Sequence, residues 1–186
     1  MKREHLWSLR LGFSSKQAEP IANLGIEQFL KKSLAFSDTP EVPPSIKETP
    51  KTLVELKNFR DMKRDSSDKK AITQDFFRFG LDLKSWWLQR IYESEFPLHE
   101  KMNLFWSNHF VSTYQTIKIP YFIFEHYSTI NTHSFGNYKT LVKEMMYSNA
   151  MLTYLSNNQN RKGKINENLG RELLELFTRF DKNPYL

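Results

Sequence analysis

Apolar positions along the chain recur at helical spacing, and nowhere do they alternate over the length of a strand. Leu6, Leu9 and Phe13 mark a short first helix that ends near Gly12. Ser14 or Ser15 can cap a second helix over 16–23, closed by Gly25 in the left-handed region, and 26–34 form a third. Leu53, Leu56 and Phe59 share one face of a helix over 52–64, followed by the polar break Asp65-Ser66-Ser67-Asp68, the expected mobile or protease-sensitive point. From Ala71 the pattern is denser: Ile72, Phe76, Phe79, Leu83, Trp86, Trp87 and Ile91 describe one long helix. Pro97 opens the next, through Met102, Phe105, Trp106, His109 and Phe110, because a proline's missing N–H is not needed in a first turn. Further helices begin at Pro120, Ser134 and Met151, and a last one starts about Asn166 after the polar loop 157–164. The pattern predicts an all-α fold: an irregular multi-helix bundle of about eight helices with no significant sheet.

Four of the eight prolines (Pro40, Pro43, Pro44 and Pro50) fall within 37–50, which reads as an extended surface connection. It divides the chain into a small N-terminal helical segment (1–36), the Pro-rich connection (37–50) and a helical body (51–186). The body is expected to be the N-terminal part of a larger domain.

Composition narrows the chemistry more than the fold. The 186 residues suffice for one core, and 15 Phe, 8 Tyr and 4 Trp offset a modest 39% hydrophobic content. The absence of cysteine excludes disulfides, thiolate metal sites and cysteine nucleophiles. No two of the six glycines are spaced as G-x-G, which excludes a dinucleotide fingerprint and a P-loop. The net charge of +6 is spread in short clusters such as Lys31-Lys32 and Arg161-Lys162-x-Lys164, so a solvated face is expected and a nucleic-acid partner is not. No apolar run approaches the ~18 residues of a membrane span, and no signal-peptide core is present, so a cytoplasmic protein without a membrane partner is expected.

Three polar patterns could carry chemistry. His99-Glu100-Lys101-Met102-Asn103 begins like the H-E-x-x-H helix of zinc proteases but ends on Asn103, so no metal site is expected, and His99 and Glu100 are placed in an exposed first turn. His109 lies among apolar residues, either as a core histidine with one satisfied hydrogen bond or as a general base. In the last helix Glu167, Arg171 and Glu175 form an i, i+4, i+8 ladder of alternating charge. Exposed, it is a weak surface feature; buried, it is a structural knot or an acid/base pair.

Two stretches carry a family resemblance. Residues 97–110, Pro-Leu-His-Glu-Lys-Met-Asn-Leu-Phe-Trp-Ser-Asn-His-Phe, resemble the "P-L-x-E-K-M-x-x-F-W-H-N-H-F" segment of a large bacterial family, domain of unknown function eighteen hundred. Asn149-Ala150-Met151-Leu152-x-Tyr154-Leu155 and the run from Asn166-Glu167-Asn168 through Arg171-Glu172-Leu173-Leu174-Glu175-Leu176-Phe177-Thr178 resemble its second block. The resemblance implies a mostly helical protein with no established activity. Ser107 replaces the first histidine of F-W-H-N-H-F, and after Thr178 the chain departs from the family's Leu-Gly turn, so a truncated or frame-shifted reading of a longer gene is expected.

Two functions follow. The first is a scaffold or interaction domain in which Asn108, Asn166, Glu167, Asn168, Arg171 and Glu175 organise a polar network. Its partner would be an unidentified protein or the missing C-terminal part. The alternative is a hydrolase-like enzyme with His109 as base and Glu172, beside Glu167 and Arg171, as acid or substrate clamp. Neither asks for a cofactor.

Overall fold

The structure, a computed structural model, describes residues 2–62 and 69–178. The expected break at 65–68 and the tail after Thr178 lie outside the described residues. The helices are α1 (Arg3–Leu11), α2 (Ala18–Leu24), α3 (Ile26–Ala35), α4 (Pro44–Lys47), α5 (Leu53–Met62), α6 (Lys69–Glu93), α7 (Leu98–His109), α8 (Tyr114–Ile117), α9 (Pro120–His133), α10 (Tyr138–Tyr147), α11 (Asn149–Tyr154) and α12 (Asn168–Glu172). A 3-10 turn spans Asn157–Gln159, and α12 widens into a π-helical turn over Leu173–Thr178. Among the described residues the fold is all-α, with one isolated bridge, Arg161 to Lys164, in place of any sheet. The twelve helices of the described residues exceed the expected eight or so; α4 and α8 have no counterpart in the sequence pattern because each spans four residues, too short for apolar spacing to reveal a period.

Local signals set many of the boundaries. Gly25 adopts φ 76° and its N–H bonds the Ile21 carbonyl at 2.9 Å, closing α2. Asn137 accepts from the Thr140 N–H at the start of α10, and Ser148 from the Met151 N–H at the start of α11. The expected start at Ser134 is displaced accordingly: α9 runs to His133, and Asn137 rather than Ser134 caps the next helix.

Helix α9 is the spine of the body, touching α6, α7, α8, α10 and α11. It is buried or half-buried along nearly its whole length, polar His126 and Asn131 included, with Phe122, Phe124, Tyr127 and Ile130 in the core. One apolar cluster joins Phe110, Ile130, Leu141, Met145 and Met151; a second joins Leu56, Ile117, Ile119, Phe122 and Ala150; a third joins Ile46, Leu83 and Phe124.

The Pro-rich stretch corrects the surface reading. Pro40, Pro43, Ile46, Thr49 and Pro50 are all buried, and Ile46 sits at the centre of the third cluster. Proline carries apolar carbons and no N–H, so its ring can be buried without orphaning a backbone donor. Proline density therefore signalled irregular backbone and said nothing about exposure.

Close approach decides one glycine inside a helix. A Cβ on Gly80 would lie 2.8 Å from two ring carbons of Tyr114. That ring is pinned by its hydroxyl, which donates to the Phe76 carbonyl at 2.8 Å and so clamps α8 to α6. Gly80→Ala must displace the ring and is expected to destabilise the protein by about 1–3 kcal/mol despite alanine's better helix propensity. A melting curve followed by circular dichroism checks the sign, and a Gly80→Ala protein melting above the parent would refute the clamp.

Candidate functional site

The first family-like stretch builds a buried polar knot. Glu100, expected in an exposed first turn, is instead almost wholly buried, with 3% of its side chain exposed. Its carboxylate accepts from Trp87 Nε1 at 3.1 Å and from the Tyr127 hydroxyl at 2.8 Å, and pairs with Arg90 Nη2 at 3.0 Å. Arg90 in turn pairs with Asp38, donates from Nε to the Tyr127 hydroxyl at 3.0 Å, and lies 5.5 Å from the Trp86 ring centroid. Asn103 donates to the Tyr127 hydroxyl at 3.2 Å and to Asn131 Oδ1 at 2.7 Å, while the Asn131 amide donates to the Asp38 carbonyl. The segment before α4 and helices α6, α7 and α9 thus meet at one set of polar atoms. The sequence reading failed at Glu100 because the first turn of α7 faces α6, and only Arg90, ten residues earlier in the chain, can neutralise a carboxylate there.

The ionisation of the knot follows from its contacts. Burial disfavours the Arg90 cation, but Tyr127, Asp38 and Glu100 outweigh it and hold the guanidinium more firmly protonated than usual. Burial, reinforced by Glu100 and opposed by Arg90, pushes the Tyr127 hydroxyl up, so it remains a donor. Arg90 thus answers two carboxylates and a phenol, while Asn103 Oδ1 in the knot and His99 Nδ1 beside it are buried without a hydrogen-bond partner among the described residues.

The neighbouring residues of the same stretch fasten the N-terminal helices. His99 Nε2 lies 3.1 Å from the Ser33 carbonyl, and its ring meets Phe36 edge-on and packs against Phe135. Burial lowers its pKa, against the opposing effects of the Ser33 carbonyl, Glu100 and Asp38. Lys101 Nζ donates to the Leu9 and Gly12 carbonyls at 2.9 and 2.8 Å, placing a cation on the open carbonyl end of α1.

His109 stands in the aromatic group at the end of α7. Its Nε2 lies 3.2 Å from the Tyr138 hydroxyl, and its ring meets Phe110 and Trp106 edge-on. Burial lowers its pKa and favours the neutral imidazole. Leu173 packs, with Trp106 and Tyr138, against the cluster that contains Phe110. Glu172 is 3.6 Å from Arg171. Asn108, beside His109, is exposed.

Charged residues of the second stretch face outward. Glu167, Asn168, Arg171 and Glu175 are exposed, and Asn168 meets Arg171 only at a long 3.5 Å. Asn166 serves the backbone instead. Its N–H donates to Asn160 Oδ1 at 2.7 Å, and its own Oδ1 accepts from the Asn168 N–H at 2.9 Å, which shapes the turn leading into α12. Among the described residues no group of three or more His, Cys, Asp or Glu could hold a metal ion, and no helix is long and apolar enough to cross a membrane.

Two measurements test these assignments. Glu100→Gln is expected to lower the melting midpoint by roughly 10 °C, since breaking one partner of a buried pair costs about 3–5 kcal/mol and each kcal/mol shifts a chain of this size by about 2–4 °C. Glu167→Gln should leave the midpoint within about 1 °C, and equal losses in the two would contradict the division between buried and exposed carboxylates. His126 gives a pH signature. Its Nε2 lies 2.9 Å from the Phe110 carbonyl, and burial lowers its pKa to about 4, against that hydrogen bond. Between the usual value near 6.5 and about 4 the unfolded chain binds a proton that the folded chain refuses, so this contribution is complete above about pH 6.5 and is lost as pH falls, by roughly 3 kcal/mol. Titrating stability from pH 7 to 4.5 should show this fall, and His126→Gln, which can still donate to Phe110, should flatten it.

Comparison with curated proteins and with solved structures returns no match. The family model described as "Protein of unknown function (DUF1800)" matches residues 5–185. The match runs from α1 past the π-helical turn, spanning the buried knot, the aromatic group and the exposed charge ladder, and with it the chain belongs to the DUF1800 family.

Proposed function

We propose that the protein is a helical scaffold or interaction domain, whose first motif builds the frame and whose second presents a charged face to a protein partner. One observation supports the reading above others: Glu100 and Asn103 of the first motif bond to side chains inside the molecule, whereas Glu167, Arg171 and Glu175 stand in solvent on one helical run. Exposed i, i+4 pairs add only about 0.2–0.5 kcal/mol each to a helix, so the ladder does little for the fold. Its alternating charge suits a partner surface of opposite alternation, where complementarity sets specificity and orientation.

A photo-crosslinking residue at position 171, introduced in the native host, tests this. A discrete crosslinked protein is expected that disappears when Glu167→Lys and Glu175→Lys are combined, with the melting midpoint unchanged. The same label at exposed Glu27 on α3 should give none. Labelling that is equal at both positions, or indifferent to the charge reversal, counts against the reading.

A second reading, a hydrolase with His109 as base and Glu172 as acid or clamp, has its own support. His109 Nε2 lies 3.2 Å from the Tyr138 hydroxyl, and burial favours the neutral imidazole that a base requires. Turnover of an activated ester that is lost in His109→Ala at unchanged stability would favour the enzyme. A lowered melting midpoint without any turnover to lose would favour the scaffold.

A further inference from the structure

A groove of about 820 Å³ runs between α6 and the segment carrying α8, in the size range of small-ligand sites. The Tyr114 clamp forms part of its wall, where α8 touches α6 at Gly80. Phe76, Phe77, Leu81, Leu83 and Trp87 on α6 and Ile123 on α9 give it apolar walls. Phe77 and Leu81 keep 67% and 46% of their surface exposed, so apolar area along the lip remains in water.

Charge along this groove has one sign. Arg60, Lys84 and Lys118 line it and no acidic residue does. Neither lysine forms an ion pair among the described residues, and Lys118 is set by a left-handed backbone (φ 59°) at the end of α8. Deeper in, a chamber of about 80 Å³ shares Leu83, Trp87, Ser112 and Ile123 with the groove. His126 lines that chamber. With its Nε2 proton directed at the Phe110 carbonyl, its buried Nδ1 is an acceptor without a protein donor.

We propose that this groove binds a small amphipathic carboxylate: an acyl or arylalkyl chain laid along the α6 wall, its anion held by Lys84 and Lys118. The side chamber favours a small molecule over a partner helix, because a hydroxyl or water carried at the ligand's inner end can reach His126, whereas a helix is too wide to enter. The proposal rests on residues other than the charged face of α12, so the two stand or fall separately.

The test is a titration of the whole chain with linear carboxylates from hexanoate to hexadecanoate, below micelle formation, read by tryptophan fluorescence and calorimetry. One member is expected to bind saturably with one-to-one stoichiometry, about tenfold tighter than the alcohol of equal length. Lys84→Gln combined with Lys118→Gln should remove that preference, and Leu81→Ser should weaken carboxylate and alcohol alike, both with unchanged helical circular dichroism. Absence of saturable binding across the series, equal binding of the alcohol, or indifference to the lysine pair would overturn the proposal. So would light scattering showing that the chain dimerises and that Phe77→Ser or Leu81→Ser abolishes the dimer, which would make a second copy the occupant.

Discussion

The ion pair between Glu100 and Arg90 is the constraint on which the rest of the fold depends. A carboxylate at the start of α7 is carried into the interior, where desolvation would be prohibitive for a lone charge. It is tolerated because Arg90 and the Tyr127 hydroxyl converge on it from α6 and α9, and because Asp38 supplies the guanidinium with a second anion. Each of these groups satisfies the others only when all the segments are in register. Apolar packing could place α6, α7 and α9 in several rotations, but the knot admits one. The pair is therefore more a device for uniqueness than a source of net stability.

The N-terminal helices depend on the same stretch of α7. Lys101 holds the end of α1, His99 meets the Ser33 carbonyl of α3, and Asp38 follows directly on the segment that leaves α3. Twelve residues of α7 thus address the N-terminal helices on one side and the knot on another, with the aromatic group of Trp106, His109 and Phe110 at its far end. A motif so dense in polar and aromatic residues resembles an active site on paper. Its first half in space is an assembly point.

Polar residues of the second motif divide differently. Asn166 spends its hydrogen bonds on the turn into α12, while Glu167, Arg171 and Glu175 spend none on the core. The surface charge of this region and the apolar groove beside α6 lie on different elements. Both leave chemistry facing solvent that the fold itself does not use.

Helical class, the long α6, the proline starts of α7 and α9, and the glycine end of α2 were legible in the sequence, because each follows from period or from the conformational limits of one residue. The exposure of the charge ladder stood among the sequence's open alternatives, since a helix of charged residues reads the same whether it is covered or not. The burial of His99, Glu100, Pro40, Pro43 and Pro50 was not legible at all. A polar or irregular segment is buried only where distant groups complete its bonds, and the partners here lie in α3, α6 and α9. The sequence by itself determined which segments coil and what chemistry is absent, through local sterics and composition. Only the tertiary structure decided which charges are hidden and which meet solvent, because that depends on neutralisation between residues far apart in the chain.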